Sequence, residues 1–140
     1  MSENAPAQLA IETRFDAQWI DDGVAIRYEN DARKKPPGPY IHFFVRTGRA
    51  IEMGFAGKKI LYRRPGWIVA QCFILPRKGT QACMVMADAV IAIFEGQQFS
   101  GITFRESEIV QVGISSTSKE AFWQANAKVF FDHDFERSFT

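Results

Sequence analysis

The residues able to do chemistry in this chain are few and scattered. His133 stands between Asp132 and Asp134, a triplet offering the oxygen and nitrogen ligands that hold a divalent cation. Neighbours on a strand point to opposite faces, so strand geometry counts against convergence there. Neither His42 nor His133 shares a ligand-like spacing with Cys72 or Cys83. The two cysteines lie inside apolar segments and read as reduced thiols acting as small hydrophobes; their spacing specifies neither a disulfide nor a metal pair. Asp88 is conceivable as a catalytic acid, but between Ala87 and Ala89 on a helix it reads as a polar-face or interface residue. The Ser115-Ser-Thr-Ser118 cluster has no adjacent histidine and no nucleophile elbow. Gly54 and Gly57 lie in a turn, without the strand-loop-helix setting of a phosphate cradle. No catalytic, cofactor or metal constellation assembles, and a non-enzymatic role is expected.

Two basic features remain. Arg33-Lys34-Lys35 lies in a proline-rich loop, and Lys58-Lys59 with Arg63-Arg64 brackets Ile60-Leu-Tyr62. Such charge keeps loops soluble and strand edges apart, or presents an electrostatic surface to a phosphate backbone or an acidic partner. Tyr40 and Tyr62 suit base stacking and strand burial equally. The formal net charge of +1 argues against a dedicated nucleic-acid binder, which carries a clear basic excess. A chain of 140 residues, 46% hydrophobic, has the size and core of a single domain spanning 1–140. Its 13 phenylalanines exceed what one such core needs, so some are expected on a surface that another subunit covers. No window reaches the roughly 18 apolar residues that span a bilayer. The N-terminus lacks the basic and apolar regions of a signal peptide, and synthesis in a reducing cytoplasm is expected.

The elements that must position these residues follow from periodicity. Ile11, Phe15 and Trp19 at i, i+4 and i+8 predict an amphipathic helix of about three turns, closed by Asp21-Asp22-Gly23. Val24, Ile26 and Tyr28 alternate as a strand with one buried face. Asn30 to Pro39 is a loop on composition. Tyr40 to Phe55 reads as two strands joined at Thr47-Gly48, with Ile41, Phe43, Val45 on one face of the first and Ile51, Met53, Phe55 on one face of the second. A turn at Ala56–Lys59 leads to Ile60-Leu-Tyr62. The apolar run Trp67–Leu75, bounded by Pro65-Gly66 and Pro76, carries bulk at odd and even positions and predicts a central strand covered on both faces. Ala82, Met86, Ala89, Val90, Ile93 and Phe94 then recur at helical spacing, with Thr80 as N-cap and Gly96 past the end. Gly101–Arg105 and Ile109–Ile114 predict short strands. A closing strand is expected from Trp123 to Phe131, and the tail from Asp132 reads as polar and ordered only by a neighbour. Short connections favour an antiparallel meander.

The order of elements resembles that of the small tail-terminator (tail-completion) proteins of long-tailed bacteriophages. The likeness runs from the helix ending in Phe15-Asp-Ala-Gln-Trp19, through Val24-Ala-Ile-Arg-Tyr-Glu-Asn-Asp31. It is most specific in Arg64-Pro-Gly-Trp-Ile-Val-Ala-Gln-Cys-Phe-Ile-Leu-Pro76, then Gly79 and the helix with Ala87-Asp88 and Ile93-Phe94. It covers nearly the whole chain. The resemblance implies an α+β fold, a mostly antiparallel sheet flanked by two helices in a single domain. It also implies a structural virion protein, made in the bacterial host cytoplasm, that sits at the head-proximal end of the tail. There a hexameric ring stacks on the tail tube protein, stops its polymerisation and presents a surface to the head-completion or connector protein. Double-stranded DNA passes through the lumen without sequence specificity; no cofactor and no membrane is involved. From residue type, Arg33, Lys34, Lys35, Lys58 and Lys59 are assigned to basic loops facing the lumen or a partner ring. Phe135 and Phe139 are assigned to a subunit interface. The alternatives are another neck or minor tail protein of the head-completion type, a small enzyme or ligand-binding α+β domain, and a nucleic-acid-binding module.

Overall fold

In a computed structural model, which describes residues 4–19, 24–29, 39–74, 80–115 and 122–138, a seven-stranded sheet carries two helices on one of its faces. The elements are α1 (Asn4–Gln18), β1 (Ala25–Tyr28), β2 (Tyr40–Thr47), β3 (Ile51–Ala56), β4 (Lys59–Ile74), α2 (Thr80–Phe94), β5 (Gln98–Phe99), β6 (Ile102–Ser115) and β7 (Phe122–Ser138). Strand order is β1-β2-β4-β7-β6-β5, with β3 beside β4. Every pairing is antiparallel except that of β1 with β2. This is an α+β architecture with a mostly antiparallel sheet, and both helices lie on the same side of it.

Each helix buries one face at the spacing its sequence shows. α1 buries Ala7, Ile11 and Phe15, and the Phe15 ring packs 4.5 Å from Phe43 of β2 and 6.0 Å from Phe94 of α2. α2 buries Cys83, Met86, Ala87, Val90 and Phe94. Ala87 takes the inward position that the periodicity gave to Ala89, which is exposed. Gly96, at φ 74°, supplies the left-handed residue that ends α2. Beneath the helices, β4 contributes Ile68, Ala70, Cys72 and Ile74, and β7 contributes Ala125, Ala127, Val129 and Phe131. Each fully buried large side chain in this layer is worth about 1.5–3 kcal/mol.

Five expectations are corrected. The central strand is not covered by a second layer on its other face among the described residues. Val69 and Phe73 are buried there by neighbours on the same face: Tyr40 stacks on Phe73 at 4.6 Å, and the Lys128 ammonium lies 4.5 Å over Trp67. The break expected at Pro65-Gly66 is absent, and β4 runs through it. The Pro65 carbonyl accepts from the Gly48 N–H at 2.7 Å, so the side of Pro65 lacking a donor faces away from β7. It falls in the gap between the last β3 partner, at Arg63, and the first β2 partner, at Gly66. For the same reason β2 and β3 do not form a hairpin; both pair with β4, end to end along one edge. The two segments after α2 are one strand, β6, with register shifts between Phe104 and Ser107 and between Gln111 and Gly113. Finally, residues 132–138 are not a tail but the second half of β7, paired with Lys59–Pro65.

Gly66 is the tightest point of this ladder. A Cβ there would lie 2.5 Å from the Arg46 carbonyl oxygen and 2.6 Å from Cζ of Phe131, both closer than packed atoms allow. The Phe131 ring occupies the space that a side chain would need. Gly66→Ala is therefore expected to destabilise the protein by about 1–3 kcal/mol through overpacking, read as a lower urea midpoint with an unchanged slope. A midpoint equal to wild type would show that the strands can separate at no cost.

Candidate functional site

The chemistry-bearing residues are held apart by strand alternation. His42 contacts Gln71 at 3.1 Å on the helix-free face, whereas His133 is buried on the opposite face, 5.3 Å from the Phe135 ring. Asp132 and Asp134 point away from His133, and each meets an arginine: Asp132 with Arg105 at 3.2 Å, Asp134 with Arg63 at 2.7 Å. Among the described residues no group of three His, Cys, Asp or Glu is placed to hold a metal ion. Cys72 and Cys83 are both free and buried, and the Cys83 thiol donates to the Cys72 carbonyl at 3.1 Å. Burial pushes the Cys83 thiol up to about 11 and Cys72 higher still, with desolvation the leading cause for both. Neither carries thiolate at neutral pH, and the thiolate is the nucleophile. Asp88 is exposed on α2.

What the fold does bring together is an arm. β3, the first half of β4 and the second half of β7 form a three-stranded extension, and among the described residues none of its side chains joins the hydrophobic core under the helices. Its helix-side face is ordered by aromatic rings and cations. Phe135 stacks on Tyr62 with centroids 5.5 Å apart, the Arg64 guanidinium lies 4.9 Å over Phe135, and Arg137 lies 5.3 Å from both rings. Phe135, assigned to a subunit interface, is thus half-buried by its own chain. The opposite face carries the ion pairs Arg63–Asp134 and Lys59–Glu136, the latter at 3.5 Å. Beside them an open hollow of about 350 Å³ is lined by Met53, Leu61, Arg63, Asp134 and Glu136, with Tyr62 and Phe135 of the stack also bordering it. Lys58 sits exposed in the turn at the tip. Arg33, Lys34, Lys35 and Phe139 lie outside the described residues.

Exposed apolar side chains concentrate on this arm. Ile51, Met53 and Phe55 are each more than half exposed, and Leu61 is 38% exposed. The alternation predicts one shared face for Ile51, Met53 and Phe55, but the register shift between Glu52 and Gly54 divides them: Ile51 lies opposite Arg63 on the helix-free face, whereas Phe55 lies opposite Ile60 on the face of Tyr62. A second apolar surface lies on the helices. α2 has almost no polar face: Val85 is 59% exposed, and Ala89 and Ala92 are exposed beside it. With Trp19, Met86 and Ile93 they line a groove of about 380 Å³ between α1 and α2. The signal in the sequence is composition rather than period, since a helix apolar on all sides is normally buried on all sides.

No family model matches the chain, and no curated protein does. One solved structure, of a protein carrying no functional name, is similar over 96% of this chain and 97% of its own, with a TM-score of 0.60 at 17% identity. At that identity the likeness shows a shared fold alone, carried over nearly the full length of both chains.

The Arg63–Asp134 pair fixes the floor of the arm's hollow through two hydrogen bonds, at 2.7 and 3.0 Å. The hydrogen bond from Arg63 is the main cause holding the Asp134 carboxyl below its ordinary value. A carboxyl lowered in the folded state stabilises it above the unfolded value, and that stabilisation is lost as pH falls through the lowered value. Arg63→Gln is therefore expected to move the Asp134 titration, followed by carboxyl-carbon NMR, upward to the ordinary carboxylate range. An unmoved titration would show that another group holds the carboxylate.

Proposed function

We propose that the chain is a ring-forming structural subunit that terminates the tail tube of a long-tailed phage or phage-like particle. In this reading a hexameric ring caps the tube, stops polymerisation and joins the tail to the head-completion or connector protein, and DNA later crosses its lumen. The observation that carries the reading is the arm, where Ile51, Met53, Phe55 and Leu61 stand exposed outside the core that the helices cover. Exposed apolar side chains gathered on both faces of one extension mark a contact with another protein, and a chain with a second apolar surface on α2 has the makings of an assembly subunit. The described part of the segment bearing the most specific resemblance, Arg64 to Ile74 with the helix from Thr80, falls on β4 and α2, which organise both surfaces. Lys58, exposed at the tip of the arm, and Lys59 beside it are suited to a lumen or a partner ring.

The test is tube assembly. Added to polymerising tube protein from the same particle, the purified chain should shorten the tubes in a dose-dependent way and appear as a ring at one tube end by electron microscopy. Tubes of unchanged length with bare ends would overturn the proposal. Replacing Arg33, Lys34, Lys35, Lys58 and Lys59 with alanine should leave the unfolding midpoint near wild type; Lys58 and Lys59 are exposed, and exposed charges contribute little to stability. The yield of joined, DNA-filled particles should fall; normal yield would remove the basic loops from the mechanism.

A further inference from the structure

The sheet changes character at one level. On β4 no residue in 59–63 is buried, and Arg64 is; on β7 no residue in 134–138 is buried, and His133 is. Arg64 and His133 are cross-strand partners, so the boundary crosses both strands in register. β3 has no buried residue along its length. On the other side of the boundary, Ile68, Ala70 and Cys72 of β4 and Ala125, Ala127, Val129 and Phe131 of β7 belong to the core under the helices. The flanking ladders break at the same level. β3 pairs with β4 as far as Arg63, and β2 takes over at Gly66. The β6 ladder on β7 stops at Ile102 opposite His133, with one further backbone hydrogen bond, from the Asp134 N–H to the Gly101 carbonyl at 2.9 Å. Among the described residues, β4 and β7 are thus the two strands that run from body to arm.

We propose that the arm, residues 51–63 and 134–138, is a cooperative unit of its own, which opens and recloses at the Arg64–His133 level while the body stays folded. Apolar burial is the main force that holds elements closed. In the arm, Ile60, Tyr62 and Phe135 are the side chains that are partly buried and the rest are exposed, so opening it uncovers far less apolar surface than opening the body. What opening breaks is the three-stranded ladder, the stack of Tyr62 on Phe135 and the pairs Arg63–Asp134 and Lys59–Glu136. Exposed ion pairs of that kind add little to stability. The three strands open together because β3 pairs with β4 alone, and this half of β4 pairs with β3 and β7. Regions with few buried contacts open in such sub-global steps, at well below the cost of unfolding the whole. Ile51, Met53, Phe55 and Leu61 sit on the unit that opens, so the surface they form can rearrange on contact without loss of the body. The unit follows from burial and strand pairing and is independent of the tail reading.

Native-state hydrogen exchange of the full chain, read by NMR across a series of low urea concentrations, tests it. The hydrogen-bonded amides of 51–63 and 134–138 should share one opening constant, at least about tenfold above that of 68–72 and 125–129. Their urea dependence should be shallower, since less surface is exposed. Ile11→Val removes one methylene from the core far from the arm. It should speed exchange in the body and leave the arm unchanged, because the open-arm state keeps that contact. Tyr62→Ala should speed exchange on all three arm strands by a common factor of at least about two, through loss of a cross-strand ring pair. Arm amides that share the opening constant and urea slope of the body, or that speed up with Ile11→Val, would show one undivided unit and overturn the proposal. An effect of Tyr62→Ala confined to its immediate neighbours would show fraying of separate strands and overturn it as well.

Discussion

The pairing of β4 with β7 is the constraint on which the rest of the molecule depends. The two strands run in register from Lys59 opposite Ser138 to Ile74 opposite Trp123, and every other strand but β1 and β5 hydrogen-bonds to one of them. One ladder serves two environments. From Gly66 to Ile74, the inward positions hold Ile68, Ala70, Cys72 and Ile74 against Ala125, Ala127, Val129 and Phe131, and the small residues among them let α2 approach. From Lys59 to Arg64 the same face holds Tyr62, Arg64, Phe135 and Arg137, none of them part of the core under the helices. There the stabilisation comes from rings and guanidinium groups stacked across strands, each contact worth about 0.5–1 kcal/mol. Such contacts hold a shape without the deep burial that a helix layer gives. The arm therefore relies on the continuity of the ladder through Gly66.

Gly66 shows how one residue links these halves. Phe131 belongs to the core, yet its ring lies over Gly66 and fills the place of a side chain. Across the strand, the Arg46 carbonyl approaches the same Cα, which brings the end of β2 close to β4 just where β3 gives way to it. Pro65 beside it turns its donor-free edge into that gap. The Arg-Pro-Gly-Trp step is thus a joint in which one edge of β4 changes partner while the other edge keeps its register with β7.

Periodicity made much of this legible. The spacing of Ile11 and Phe15, the turn of α2 from Met86 to Phe94 with Gly96 behind it, and the alternation of Trp123 to Phe131 each report a single face, and each is a face of the core. What periodicity does not carry is which layer a face will meet. Ile51, Met53 and Phe55 alternate in sequence as well as Ile41 and Phe43 do, but a register shift divides the first set between two faces, and none of the three joins the core under the helices. Nor does local sequence state that Pro65 can sit inside a long strand, because that depends on which neighbour its missing donor would have faced. The chain from Asp132 to Ser138 reads as a polar tail since its charges look solvated; in the fold Asp132 and Asp134 are paired with Arg105 and Arg63 across strands. Of the residues assigned to a site from type alone, Lys58 and Lys59 fall on the arm and Phe135 inside its aromatic stack, a grouping that only the second half of β7 creates.

The groove on the other surface is preformed for related reasons. α1 is tied down at three points: Phe15 within the core, the Arg14 guanidinium on the last turn of α2, and the Tyr28 hydroxyl donating to Asp16 from β1. Burial and then that hydrogen bond raise the Tyr28 hydroxyl well above its ordinary value, so it stays a donor across the physiological range. Arg14 in turn satisfies a carbonyl at the C-terminal end of α2, where helix carbonyls lack partners and a cation is favoured. With both helices fixed, the apolar wall of Val85, Ala89 and Ala92 faces outward at a set distance from Trp19. A concave surface held in this way has little order left to lose when something fills it, which is the condition under which modest apolar area converts into affinity.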